Sequence, residues 1–235
     1  MAGRNRSRQQ RAELPTAPPA EHNPGPQPLQ WDSPQQPPQH HADHLPPPRT
    51  ALPPPSPSGR VLPLTPTRGN HDPGPLFDQI FDGAGDSSLN YYTIDLTPKV
   101  SLITLNSEIS AAGDQAKWLE RELRRLRPKR RWLLAQYHRA IYPAVKNPAA
   151  MKEHWVPLFE KYDLDIALES DGHAVKRTVP IRAEALDPTG VVYIGEGGLG
   201  VPQREAKSDR WFLQEPGMSG SEHHVVLLEF GEGHL

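Results

Sequence analysis

Proline is spread so unevenly along this chain that it decides where a fold can be built. Sixteen of the 29 prolines fall within residues 1–57, a stretch that contains no Val, Ile, Phe or Tyr. Such a segment cannot bury enough apolar surface to offset the cost of ordering its backbone. Pro46-Pro47-Pro48 and Pro53-Pro54-Pro55 are polyproline pieces within it. The expectation is a disordered, Pro-rich segment over 1–57 and a single α/β domain over 58–235. The segment reads as a solvated tail, as a ligand for a proline-recognising groove, or as a frame-shifted or misassigned start. The abrupt change of composition near Gly59, with neither repeats nor charge blocks before it, favours the last.

Charge and cysteine usage narrow the function classes. Lys and Arg number 26 against 28 Asp and Glu, for a net charge of −2, so neither a nucleic-acid nor a membrane partner is expected. With no cysteine, disulfides, Cys-ligated zinc and a thiol nucleophile are excluded. Arg4, Arg6, Arg8 and Arg11 precede no apolar run, so the chain as written shows no signal peptide, and no apolar stretch is long enough for a transmembrane helix.

From Gly59 onward the pattern is that of alternating strands and helices. Val61–Leu64 reads as a short irregular strand, because Pro63 and Pro66 remove ladder donors. Residues 73–90 read as a loop with a helical turn, and 91–95 with 100–105 as a hairpin. Ala116, Leu119, Leu123 and Leu126 share one face of a helix over 114–126, closed by Pro128. The basic residues from Arg121 to Arg131 are interleaved with Glu122 and follow Glu120, so they read as a solvated helix face. A second helix is expected over 148–162, with Pro157 as a kink or late start. Further strands are expected over 132–136, 164–168, 175–181, 191–194 and 224–230. The glycine-rich run 195–200 lacks the Lys-Ser/Thr ending and the following helix of a phosphate loop, and reads as a tight loop passing the site.

Three of these strands end in chemistry. The first runs into Gly69-Asn70-His71-Asp72, the 132–136 strand into Tyr137-His138-Arg139, and the buried run 164–168 into Asp171-Gly172-His173. Strand ends are where α/β sheets place their sites. Asn70, His138, Asp171 and His173 together form an oxygen and nitrogen donor set with no sulfur, suited to a metal-assisted hydrolase. A divalent ion there would polarise a phosphoryl oxygen and generate a hydroxide nucleophile, while His71 protonates the leaving group.

The residues Gly69-Asn70-His71-Asp72, the hairpin, Asp114-Gln115-Ala116-Lys117-Trp118-Leu119-Glu120, His138-Arg139-Ala140-Ile141-Tyr142, residues 157–162 and His173-Ala174-Val175-Lys176-Arg177-Thr178 resemble, in order, the C-terminal half of purple acid phosphatase-like enzymes. These are calcineurin-like metallophosphoesterases. The resemblance covers about residues 58–235 and implies an α/β two-sheet sandwich flanked by helices, here lacking the N-terminal strands and so leaving apolar edge positions exposed. It also implies a two-metal site holding divalent or trivalent ions, with Fe, Zn or Mn as candidates. By resemblance, Asn70 and His138 ligate the second metal, His173 the first, and His71 contacts the phosphate. Asp171 stands where the family has histidine, and a carboxylate also binds such ions. The family's Asp-x-His and Gly-Asp-x-x-Tyr motifs, which precede the Gly-Asn-His, are absent from residues 1–68. The implied activity is metal-dependent hydrolysis of phosphomonoesters by a metal-activated hydroxide, and family members are often exported. The alternative is a catalytically impaired remnant or an interaction protein. For residues 1–57, amide exchange should be complete at the earliest times of a hydrogen-exchange experiment; slow exchange there would contradict the disordered-segment expectation.

Overall fold

Apolar residues recur along the strands of this chain with so few polar interruptions that the strands must be covered on both faces, and the architecture shows how. In the computed structural model the chain divides between Val61 and Leu62. The described residues, 63–81, 89–207 and 209–231, all belong to the second unit. The Pro-rich segment and Val61-Leu62 of the first expected strand lie outside them.

The elements in order are α1 (Leu76–Ile80), β1 (Tyr92–Thr97), β2 (Val100–Thr104), α2 (Asp114–Leu126), β3 (Trp132–Arg139), α3 (Lys152–Lys161), β4 (Ile166–Ser170), β5 (Val175–Arg177), β6 (Ile181–Arg182), β7 (Ala185–Leu186), β8 (Val192–Gly195) and β9 (Met218–Gly220). The fold is α/β, with a seven-stranded sheet of order β1-β2-β3-β4-β8-β5-β9 and a small β6-β7 sheet. β2, β3, β4 and β8 run parallel, while β1, β5 and β9 pair antiparallel. α2 and α3 are the crossovers between parallel neighbours.

Side-chain parity divides the core. Ile103, Leu133, Ala135, Tyr137, Ala167 and Tyr193 point to the helices, where Leu119, Leu123 and Leu126 of α2 and Trp155 and Phe159 of α3 meet them. Val100, Leu102, Leu134, Ile166 and Ile194 point to the opposite face, where Leu228 of the C-terminal segment packs.

Several expectations are corrected. The described part of the first expected strand, residues 63–64, has no regular structure. That segment is tied down by Gln136 donating to the Thr65 carbonyl at 3.0 Å and Tyr92 donating to the Pro66 carbonyl at 2.6 Å. Residues 224–230 are not a strand, although Leu228 packs on the sheet. The apolar run Val225-Val226-Leu227-Leu228 meets a packing surface but no described ladder partner, and Val225 and Leu227 stand exposed. α3 begins at Lys152 and runs through Pro157, which forgoes the hydrogen bond to the Glu153 carbonyl. The 175–181 strand is split into β5 and the start of β6. Among the described residues no helix is long and apolar enough to cross a membrane.

One buried charge cluster ties the strand ends together. The Lys176 ammonium of β5 is wholly buried between Glu169 of β4 and Glu196 just after β8, and also donates to the Tyr142 carbonyl. Glu169 Oε1 accepts from Tyr137 at 2.8 Å and from the Ile141 amide at 2.6 Å, while Glu196 Oε1 accepts from the Ala144 amide at 2.5 Å. Burial, offset by Lys176 and reinforced by Glu169, pushes the Glu196 carboxyl above its ordinary range. Replacing Lys176 by Met leaves two buried carboxyls without their cation. It should destabilise the fold by about 3–5 kcal/mol in denaturant unfolding; an unchanged midpoint would show that the cluster is not structural.

Candidate functional site

The chemistry expected at the strand ends lies at the C-terminal edge of the parallel strands. Between β3 and β4 the register shifts, with Tyr137 opposite Glu169 but Arg139 opposite Ser170. His138 is therefore the extra residue of a bulge, a device that re-aims a side chain. Its ring lies against the backbone of the Gly69-Asp72 turn, where a Cβ on Gly69 would stand 2.9 Å from ring atoms Cε1 and Nδ1. That turn is closed by the Gly69 amide donating to the Asp72 carboxylate at 2.8 Å.

His138 Nε2 lies 2.7 Å from Asn70 Oδ1 and 3.4 Å from Asp171 Oδ1. Both partners are acceptors, so this arrangement assigns the ring proton to Nε2. Burial pushes the imidazole below its usual range, against the opposing pull of Asp171 and Glu108, which keeps the ring neutral at neutral pH.

Asp171 is held in a constrained loop. Asp171 and His173 both have left-handed backbones, with φ of 69° and 62°, a conformation that non-glycine residues adopt at a cost of about 1–3 kcal/mol each. The surroundings enforce it. The Gly172 amide donates to the Ser170 carbonyl, the His173 amide to the Glu196 carbonyl, and the Arg204 amide to the His173 carbonyl. Burial raises the Asp171 carboxyl, but the hydrogen bond from Lys146, with His138 and Arg139 nearby, outweighs burial and holds it below the ordinary carboxylate range. Lys146 Nζ is 2.5 Å from Asp171 Oδ1.

Beside this group lies a cavity of about 530 Å³ whose wall includes Ser107, Arg139, Lys146, His154, Asp171 and Glu196. Arg139 is held by a two-pronged contact with Glu108, at 2.9 and 2.8 Å. Asn70 itself lines a smaller cavity of about 240 Å³ with Arg68, Asn106 and Glu108.

The structure thus brings Asn70, His138 and Asp171 together. His71, next on the turn, is exposed, and His173 turns Nδ1 to the Pro202 carbonyl at 3.1 Å. Among the described residues no group of three or more His, Cys, Asp or Glu is placed to hold an ion. One imidazole nitrogen, one amide oxygen and one carboxylate oxygen nevertheless fit a single divalent or trivalent ion. Sequence reading missed Lys146, Glu196 and the Glu169-Lys176 pair. The one available signal was that Glu169 continues the apolar β4 run and Lys176 stands among strand residues, two charges needing each other if buried.

No family model matches the chain. Over 127 residues, half of this chain, it is 30% identical to purple acid phosphatase 15 of Arabidopsis thaliana. Over 154 residues it is 29% identical to purple acid phosphatase 23 of the same plant. This stretch is purple acid phosphatase-like. The chain spans 24% and 32% of the length of these two relatives. Among solved structures, purple acid phosphatase PPD1 from yellow lupin (Lupinus luteus) seeds matches 62% of this chain and 26% of its own at 19% identity, with a TM-score of 0.46.

The Asp171 loop yields a direct test. A Cβ on Gly172 would lie 1.6 Å from Glu196 Oε2, and Glu196 cannot retreat because Ala144 and Lys176 hold its other oxygen. Gly172→Ala should therefore cost about 1–3 kcal/mol in denaturant unfolding. An unaffected midpoint would mean that Glu196 does not pack under this loop.

Proposed function

We propose that this chain is a metal-dependent phosphoesterase that hydrolyses phosphomonoesters. The observation that supports this reading most is the convergence of Asn70, His138 and Asp171 on one point beside a cavity lined by two cationic side chains. Asn70 Oδ1, His138 Nε2 and Asp171 Oδ1 would hold the ion once the ring proton of His138 passes from Nε2 to Nδ1, and His173 would join them by giving up its contact with Pro202. When bound, such an ion supplies Lewis-acid polarisation of the phosphoryl oxygen and activation of water. The chain's own residues do the rest. The bulge at His138 and the fixed Asp171 loop preset the donor positions, so little ordering remains to be done on binding. The cavity takes the ester, with Arg139 fixed by Glu108 at its wall. His71, exposed on the turn beside Asn70, would give a proton to the leaving oxygen.

The competing reading is a catalytically impaired remnant, and the orientation of His173 towards Pro202 favours it. Turnover of an aryl phosphate by the full chain, measured with and without chelator, separates the two. The phosphoesterase reading expects hydrolysis that chelation abolishes and that His138→Ala lowers about 100-fold or more in kcat/KM. Absence of turnover, or turnover indifferent to His138→Ala, would contradict it.

A further inference from the structure

We propose that Lys146 is a built-in cation of the phosphate-binding site, holding Asp171 when no metal ion does and pairing with the phosphoryl group when one does. The inference rests on the metal-and-phosphate reading of the site and adds a residue that the sequence motifs do not name.

Three observations carry it. First, the oxygen of Asp171 that faces His138 Nε2 at 3.4 Å is the same oxygen that accepts from Lys146 Nζ at 2.5 Å. An ion that takes Asp171 Oδ1 must therefore share it with an ammonium or displace that ammonium. Second, Lys146 is delivered by a backbone that other groups fix in place. Arg210 donates to the Lys146 carbonyl at 2.6 Å and to that of Pro143, the Lys207 amide donates to Ala144 at 2.8 Å, and Ala144 is held in turn by Glu196. The stem is anchored, while the Lys146 side chain is 38% exposed and lines the large cavity, so its tip can exchange one anionic partner for another.

Third, the charge balance of the cavity leaves this role to Lys146. Arg139 is already neutralised by its two-pronged contact with Glu108. The partner that the structure gives Lys146 is Asp171, and that is the group a metal ion would claim. Once Asp171 is committed to a cation, the ammonium beside it faces the cavity with its charge uncompensated, and a phosphate ester supplies the missing anion. Lysine suits this as a compact point charge on a flexible stem. It thus opposes the metal ion for Asp171 and cooperates with it for phosphate.

That opposition fixes the test. The full chain, stripped of metal, is titrated calorimetrically with Mn²⁺, and the Mn²⁺-loaded protein with inorganic phosphate, for wild type, Lys146→Gln and Lys146→Arg. Lys146→Gln should bind Mn²⁺ about fivefold or more tightly and phosphate about fivefold or more weakly, the scale of a partly screened charge pair. Lys146→Arg should keep phosphate affinity within about twofold of wild type. A merely structural lysine would weaken both affinities on removal, and that result, or no change in either, overturns the proposal. Wild type binding both ions with Lys146→Gln unchanged overturns this inference alone. Wild type binding neither overturns the reading of the site and this inference with it.

Discussion

The ammonium of Lys176, sealed between Glu169 and Glu196, is the contact on which the site edge of this molecule depends. Taking three ionisable groups out of water costs several kcal/mol each unless they satisfy one another. Here they do so only when the ends of β4, β5 and β8 and the chain at 141–144 meet. Glu169 also fixes Tyr137 and the Ile141 amide, and Glu196 fixes the Ala144 amide. A cluster this dependent on mutual contact tolerates few alternative arrangements of the loops that carry Lys146, Asp171 and His173.

From that base the site is assembled by small departures from regular structure. A one-residue bulge aims His138, a tight turn brings Asn70 to within 2.7 Å of it, and two left-handed residues hold Asp171 beside it. Each departure costs a little stability, and each is enforced by hydrogen bonds from neighbouring segments. The result is a group of acceptors facing a neutral imidazole, next to a cavity with cationic side chains.

Much of this was legible in the sequence where the signal is local. The 3.6-residue spacing of Leu119, Leu123 and Leu126 marked α2, the apolar run marked β4, and the hairpin spacing marked β1 and β2. Asn70, His138 and Asp171 were legible because each follows a segment read as a strand, although the first of those segments is irregular in the structure. What was not legible depends on partners far apart in the chain. Lys146 meets Asp171 25 residues away, and Ala144 meets Glu196 52 residues away. The apolar run at 225–228 reads as a strand because a segment that packs on a sheet looks the same in sequence as one that pairs within it. Pro157 reads as a kink or late start, yet α3 begins five residues before it and continues past it, because Trp155 and Phe159 are buried on either side of it and packing outweighs one lost hydrogen bond.

The central claim is that Asn70, His138 and Asp171 surround a cation position, and anomalous diffraction from crystals of the chain grown with Mn²⁺ tests it most directly. The account predicts one anomalous peak within roughly 2.0–2.4 Å of Asn70 Oδ1, His138 Nε2 and Asp171 Oδ1, with Lys146 drawn away from the shared carboxylate oxygen. A metal-free group with His138 still bonded to Asn70 at saturating Mn²⁺, or a peak ligated by other residues, would contradict it.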